Sequence, residues 1–278
     1  MKTPLYLLLF AALTVHATAQ EKTLDQAHMK CMYRATELKD TLDVAVYEDL
    51  LVLQVGPRVS KCYSYYTAQN DSLHRTPEGQ KAWSEMFNRA LADLRKHRNR
   101  EQFLNSFPHG RTSTIVYKNH PAGALTVTDY LREDKVTYVD TLNGQAWTLN
   151  DSTKEVLGYT CQQATCDFRG RRWTAWFAPD IPVSDGPWKL GGLPGLILEA
   201  YDHGHQYTFT TVGLEQVKDE PIVFTLPDGK GRYRTTDRRA FLRAKMFDQT
   251  HGGALGASGS TSTDHKPVYR DLIERDYK

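Results

Sequence analysis

The chain has 278 residues, with 35 Lys+Arg against 33 Asp+Glu and a formal net charge of +2. At 40% hydrophobic and 24% charged residues, its composition is that of a globular protein and excludes wholesale disorder. The near balance of charge also excludes a general nucleic-acid binder, which needs a basic excess to neutralise phosphates.

The first segment, MKTPLYLLLFAALTVHATAQ, has the three parts of a secretory leader. Lys2 is the charged end, residues 5–13 are a short apolar run, and Ala17-Thr18-Ala19 is a small-x-small cleavage site. A membrane span needs about 20 apolar residues, so the run is too short for one. The expectation is a signal peptide over residues 1–19, cleaved after Ala19. No cysteine follows the cut, so a lipid anchor is not expected. The mature protein is then expected to be periplasmic or secreted and not membrane-spanning.

Beyond the leader the pattern is mostly extended. Cys31, Tyr33 and Ala35 alternate with polar neighbours, residues 49–55 form a strand that stops at Gly56-Pro57, and residues 59–67 read as the returning strand. The period then changes. Thr76 suits a helix N-cap with Pro77 at the first helical position. Trp83, Met86, Phe87, Ala90, Leu91 and Leu94 follow at helical spacing, predicting a helix over about 76–104. The basic run 95–100 near its end reads as a solvated face that suits the C-terminal dipole.

From residue 111 to 215 the sequence reads as strand after strand, over 113–117, 124–131, 135–140, 146–149, 156–167, 172–177, 196–202 and 207–215. Short turn-prone connections such as Asn143-Gly144 favour antiparallel pairing. A second helix is predicted over 237–249, and the Gly-, Ser- and Thr-rich residues after it predict a flexible tail over 250–278. The fold class is therefore a β-rich α+β one. A curved antiparallel sheet, half-barrel or sandwich-like, packs on one long helix as a single domain over 20–249, with a C-terminal helix.

The sequence has four cysteines, Cys31, Cys62, Cys161 and Cys166. In an oxidising compartment an even count predicts two disulfides, and four cysteines permit three connectivities. A structural zinc site fits less well, because only Cys161 and Cys166 lie close in sequence.

One segment stands out. Trp173, Trp176 and Trp188 flank a Gly- and Pro-rich connection that ends in Gly192-Leu193-Pro194-Gly195-Leu196-Ile197. Leu193-Pro194-Gly195-Leu196 suits a type II turn, with Pro fixing φ and Gly supplying the next position. With Gly158-Tyr159-Thr160-Cys161-Gln162-Gln163-Ala164, Phe168-Arg169-Gly170-Arg171 and the 181–188 loop, this string resembles the GLPGLI family of secreted bacterial proteins. The resemblance implies export and a β-rich fold, and no established activity. The 179–195 loop either fills a core or forms a binding surface. For the second reading the candidate ligand residues are Arg171, Trp173, Trp176, Trp188 and Lys189, since Trp and Arg make good anchors.

Motifs that carry chemistry are sparse. The sequence contains no G-x-S-x-G, S-x-x-K, H-E-x-x-H or P-loop string, and no cofactor is implied. His203 and His205, at i and i+2, would point the same way on an extended chain and could share a metal ion. The expectation is an extracytoplasmic, non-catalytic protein that binds a hydrophobic or peptide-like ligand or an envelope partner. Metal handling at His203 and His205 and an unrecognised hydrolase are the alternatives.

Overall fold

The structure is a computed structural model that describes residues 22–38, 46–99, 102–103, 106–107, 109–225, 233–251 and 271–277. The expected leader lies outside the described residues, as does most of the expected tail.

Among the described residues the chain forms one open, curved sheet of 12 strands. They are β1 (Lys22–Leu38), β2 (Val46–Val55), β3 (Ser60–Ser64), β4 (Ile115–Lys118), β5 (Ala124–Leu131), β6 (Asp134–Thr141), β7 (Thr148–Val156), β8 (Tyr159–Phe168), β9 (Arg171–Ala178), β10 (Leu196–Asp202), β11 (Tyr207–Phe224) and β12 (Arg234–Thr235). Across the sheet they run β12-β6-β5-β4-β3-β2-β1-β11-β10-β9-β8-β7. All neighbours are antiparallel except the two-residue β12, which lies parallel to β6. Most neighbours are consecutive hairpins. The pairing of β1 with β11 is the long-range closure that joins the two halves. The expected β-rich α+β class is thus present.

The helices are α1 (Tyr65–His74), α2 (Pro77–His97) and α3 (Arg238–His251). The sequence reading carried the strand through residue 67, but it ends at Ser64. Ser64 keeps an extended backbone while its hydroxyl accepts the Thr67 N–H, so it caps α1. Thr76 caps α2 by accepting from Gly79 N–H, with Pro77 at the start, as read from the sequence. The helix ends at His97, short of residue 104, because Arg98 turns left-handed (φ 53°) and its N–H closes on Leu94 O at 2.7 Å.

The α2 stripe is only partly covered: Ala90 is its one buried residue. Trp83 and Phe87 stack with centroids 5.1 Å apart, and Phe107 meets both rings edge-on. The long helix packs on α1, which in turn touches β2 and β3.

The main core lies on the inner face of the sheet. Alternate residues of β1, β2 and β9 point there, among them Tyr33, Leu53, Trp173 and Phe177, each fully buried. The connection between β9 and β10 folds over this face and buries Leu190, Leu193, Leu196 and Ile197. Its turn is tighter than the expected type II. Gly195 N–H donates to Leu193 O at 2.8 Å, while Leu196 N–H leaves for Ile181 O at 3.1 Å. Glycine is needed there because a Cβ would sit 2.3 Å from Ala178 O.

Two further expectations are corrected. No disulfide forms: all four cysteines are buried and free. Cys31 on β1 and Cys62 on β3 both pair with Leu53 of the intervening β2, so they stand two strands apart. At about 4.8 Å per strand that is beyond the reach of a disulfide. Cys161 and Cys166 lie on the single strand β8, pairing with Lys154 and Trp173 respectively. Burial pushes the Cys31 and Cys166 thiols up to about 12 and those of Cys62 and Cys161 up to about 11. The second correction concerns residues 271–277, placed by composition in a flexible tail. They pack on the inner face with Leu272, Glu274 and Tyr277 buried.

Candidate functional site

A cavity of about 210 Å³ opens on the inner face where β11, β1, β2 and β3 run side by side. Strand register builds its floor. Tyr207, Glu37 and Tyr47 form one cross-strand row, and Phe209, Ala35 and Asp49 form the next. Leu51, Cys62, Thr112, Thr114 and Val116 continue it. Trp188 from the β9–β10 connection, Lys245 and Gln249 from α3, and Asp271, Leu272 and Ile273 from the C-terminal segment form the walls.

Asp49 is 4% exposed. Its Oδ1 accepts from Ser64 Oγ and Leu50 N–H, both at 2.8 Å, and its Oδ2 accepts from Thr112 N–H at 3.0 Å. Burial raises its pKa above the ordinary carboxylate value, against these hydrogen bonds and the positive charge of Arg111. The Arg111 guanidinium lies over Tyr47 and Tyr66, 5.7 and 5.4 Å from the ring centres.

Across the cavity the Tyr207 hydroxyl donates to Asp271 O at 2.7 Å and lies 3.2 Å from Glu37 Oε1. Burial and the Glu37 charge push that phenol up. Lys245 is committed elsewhere, since its Nζ lies 2.5 Å from Asp129 Oδ2. Asp129 also accepts from Ser113 (2.6 Å) and Thr114 (2.7 Å) hydroxyls. Burial works to raise the Asp129 pKa, but Lys245 and the two hydroxyls outweigh it and hold it below its ordinary value. The cavity therefore presents aromatic rings beside fixed carboxylates and hydroxyls. That combination suits a polar ligand with apolar faces.

Of the candidate ligand and metal residues Trp188 alone lines this cavity, and of the four cysteines Cys62 alone does. Trp173 is fully buried between Trp188 and Phe209. Trp176 lies beneath Lys154, whose Nζ is 4.5 Å from its ring centre. Arg171 and Lys189 have fully buried side chains. Arg171 is paired with Asp202 at 2.7 Å, and Lys189 with Asp140 at 2.8 Å and Glu274 at 2.5 Å.

His203 and His205 do not share an extended strand. They sit in the turn after β10, where His205 has φ 50° and stacks on Tyr201 with centroids 4.2 Å apart. Among the described residues no group of three or more His, Cys, Asp or Glu side chains is placed to hold a metal.

Sequence reasoning missed Glu37, Tyr47, Asp49 and Tyr207. One signal was present: Asp49 shares a strand face with Leu51, Leu53 and Val55, and a carboxylate on an apolar face requires partners.

The family model described as "N-glycanase peptide, N-terminal domain" matches residues 64–234. Two solved structures of PNGF-II are similar. The one in space group P21 superposes with a TM-score of 0.50 at 11% identity, covering 81% of this chain and 34% of that chain. The one in space group C2 gives 0.49 at 12% identity, covering 80% and 33%. At such identity the likeness is one of fold. The chain spans about a third of the length of these solved chains. No curated protein matches.

The family match overturns the resemblance to the GLPGLI family. Gly192–Gly195 is a turn that leads into β10, and Leu193, Leu196 and Ile197 of the string are buried in the core. The expectation of a non-catalytic binder of a hydrophobic or peptide-like ligand or an envelope partner is corrected by the same finding, together with its metal-handling alternative.

Proposed function

The chain belongs to the family of N-terminal domains of N-glycanase peptides, and from that premise we propose that it acts on N-linked glycoconjugates, with the inner-face cavity as their contact. The observation that supports this reading is the row of Tyr207, Glu37 and Tyr47 beside Asp49 and Trp188. Sugars carry hydroxyls around a ring with C–H faces. Aromatic faces cover the latter, and carboxylates and backbone groups accept from the former. The cavity is large enough for one or two sugar units and not for a branched glycan, so the rest of the ligand would extend across the rim.

Calorimetric titration of an N-glycosylated peptide, its deglycosylated form and the free glycan tests the reading. The glycosylated peptide should bind, and Tyr47→Ala or Asp49→Asn should weaken it by about tenfold or more. Equal binding of the glycosylated and deglycosylated peptides would sink the proposal. Mass spectrometry of the same incubations shows whether the glycan is released.

Export remains part of the proposal. The leader features of residues 1–19 support it, and N-terminal sequencing of the protein recovered outside the cytoplasm should begin at Gln20.

A further inference from the structure

The C-terminal segment 271–277 is held like a ligand. Five cationic side chains of the body converge on it: Arg169 and Arg171 from the β8–β9 turn region, Lys189 from the β9–β10 connection, Arg238 at the start of α3, and Arg243 one turn on, which donates to Tyr277 O at 3.2 Å. Arg171 donates to the carbonyls of Leu272 and Ile273, both at 2.8 Å. Glu274 is 2% exposed and lies 2.5 Å from both Lys189 Nζ and Arg238 Nη1. Asp276 accepts from Arg238 at 2.7 and 2.8 Å and from Arg169 at 3.2 Å. One backbone bond accompanies them, from Arg275 N–H to Arg169 O at 2.8 Å.

Charge is opposite in sign across this contact. The five cations face two body carboxylates, Asp140 and Asp202, which leaves the groove three positive charges in excess. Asp271, Glu274 and Asp276 against Arg275 leave the segment two negative charges in excess. The polar part of the attachment is therefore charge-assisted bonding to a short acidic peptide, Leu272 and Tyr277 pack into the core beside it, and little of it is strand pairing. The same segment supplies Asp271, Leu272 and Ile273 to the wall of the cavity. In sequence it is joined to α3 by the Gly-, Ser- and Thr-rich residues 252–270.

We propose that the groove of Arg169, Arg171, Lys189 and Arg238 is a recognition site for an acidic peptide. The chain's own C-terminus fills it in cis, and displacement of that segment opens the cavity. An acidic peptide presented in trans, including the same segment from a second copy of this chain, competes for the groove. The inference does not depend on the glycan reading.

The test keeps the whole protein. A protease site is substituted for residues 255–262, the folded protein is cut there, and a labelled synthetic peptide of residues 271–278 is added. The cut fragment should stay bound and then exchange with labelled peptide, and because the Glu274 pairs are buried, raising the salt should speed the exchange without being needed for it. A peptide carrying Glu274→Gln and Asp276→Asn should bind about tenfold or more weakly.

Cys62, in the cavity floor, reports the opening. Its alkylation, mapped by mass spectrometry, should rise on release while that of Cys31 does not. Loss of the fragment only within the global unfolding transition would overturn the proposal. So would failure of the free peptide to exchange, or an unchanged Cys62 rate after release.

Discussion

The inner face and the α1–α2 hairpin hold together by different means. On the inner face, side chains that a sequence reading assigns to solvent or to ligands are the most deeply buried. Lys189 and Arg171 have no exposed side-chain surface and reach two carboxylates each within 4 Å. In the hairpin, a regular apolar stripe of Trp83, Met86, Phe87, Ala90, Leu91 and Leu94 buries one alanine fully. The contrast teaches that periodicity reports the element formed and says little about how much of it the tertiary structure covers. Burial is decided by what lies opposite.

Trp173→Ala sharpens this contrast most. Its ring is fully buried against Trp188 and Phe209, so a loss of about 3–5 kcal/mol is expected in urea unfolding. Next comes Asp129→Ala, which strands Lys245 and the Ser113 and Thr114 hydroxyls, at about 3 kcal/mol.

The same aspartate fixes a pH dependence. Its folded pKa is depressed, as is that of Asp276, where burial is outweighed by Arg238 and Arg169. Their stabilisation is present above the unfolded value of about 3.9 and lost as pH falls through the lower folded values. Unfolding free energy should therefore drop on acidification below about pH 4, with a shallower slope in Asp129→Ala.

Trp83→Ala on α2 should cost only about 1 kcal/mol, the size of its ring contacts. A cost equal to that of Trp173→Ala would break the comparison between the two regions. The smallest effect is expected from reductant. With four unpaired thiols pushed up to about 11 to 12 by burial, the melting temperature should not change, and Cys31, Cys161 and Cys166 should react with thiol reagents on unfolding and not before.

Much of the strand pattern was legible because alternation and turn residues are local signals. Residues 124–131 and 196–202 coincide with β5 and β10. Helix α1 was not legible, since Tyr65, Tyr66 and Thr67 favour strands, while the Ser64 cap bond and the packing of α1 on α2 and on strands β2 and β3 act against that preference. The cavity was less legible still. Glu37, Asp49 and Tyr207 are far apart in sequence and meet through the register of β1 with β2 and β11. Of the aromatic candidates, Trp188 reached the cavity because the β9–β10 connection folds back over the sheet.

By itself the sequence determined a β-rich chain of mostly antiparallel hairpins with a capped amphipathic helix, because those features follow from spacing along a few residues. Tertiary structure decided that the cysteines stay apart, that Lys189 and Arg171 are buried ion-pair partners, and that an acidic C-terminal segment closes the inner face. Each of these depends on which strands become neighbours, and the pairing of β1 with β11 is a long-range event that no local pattern encodes.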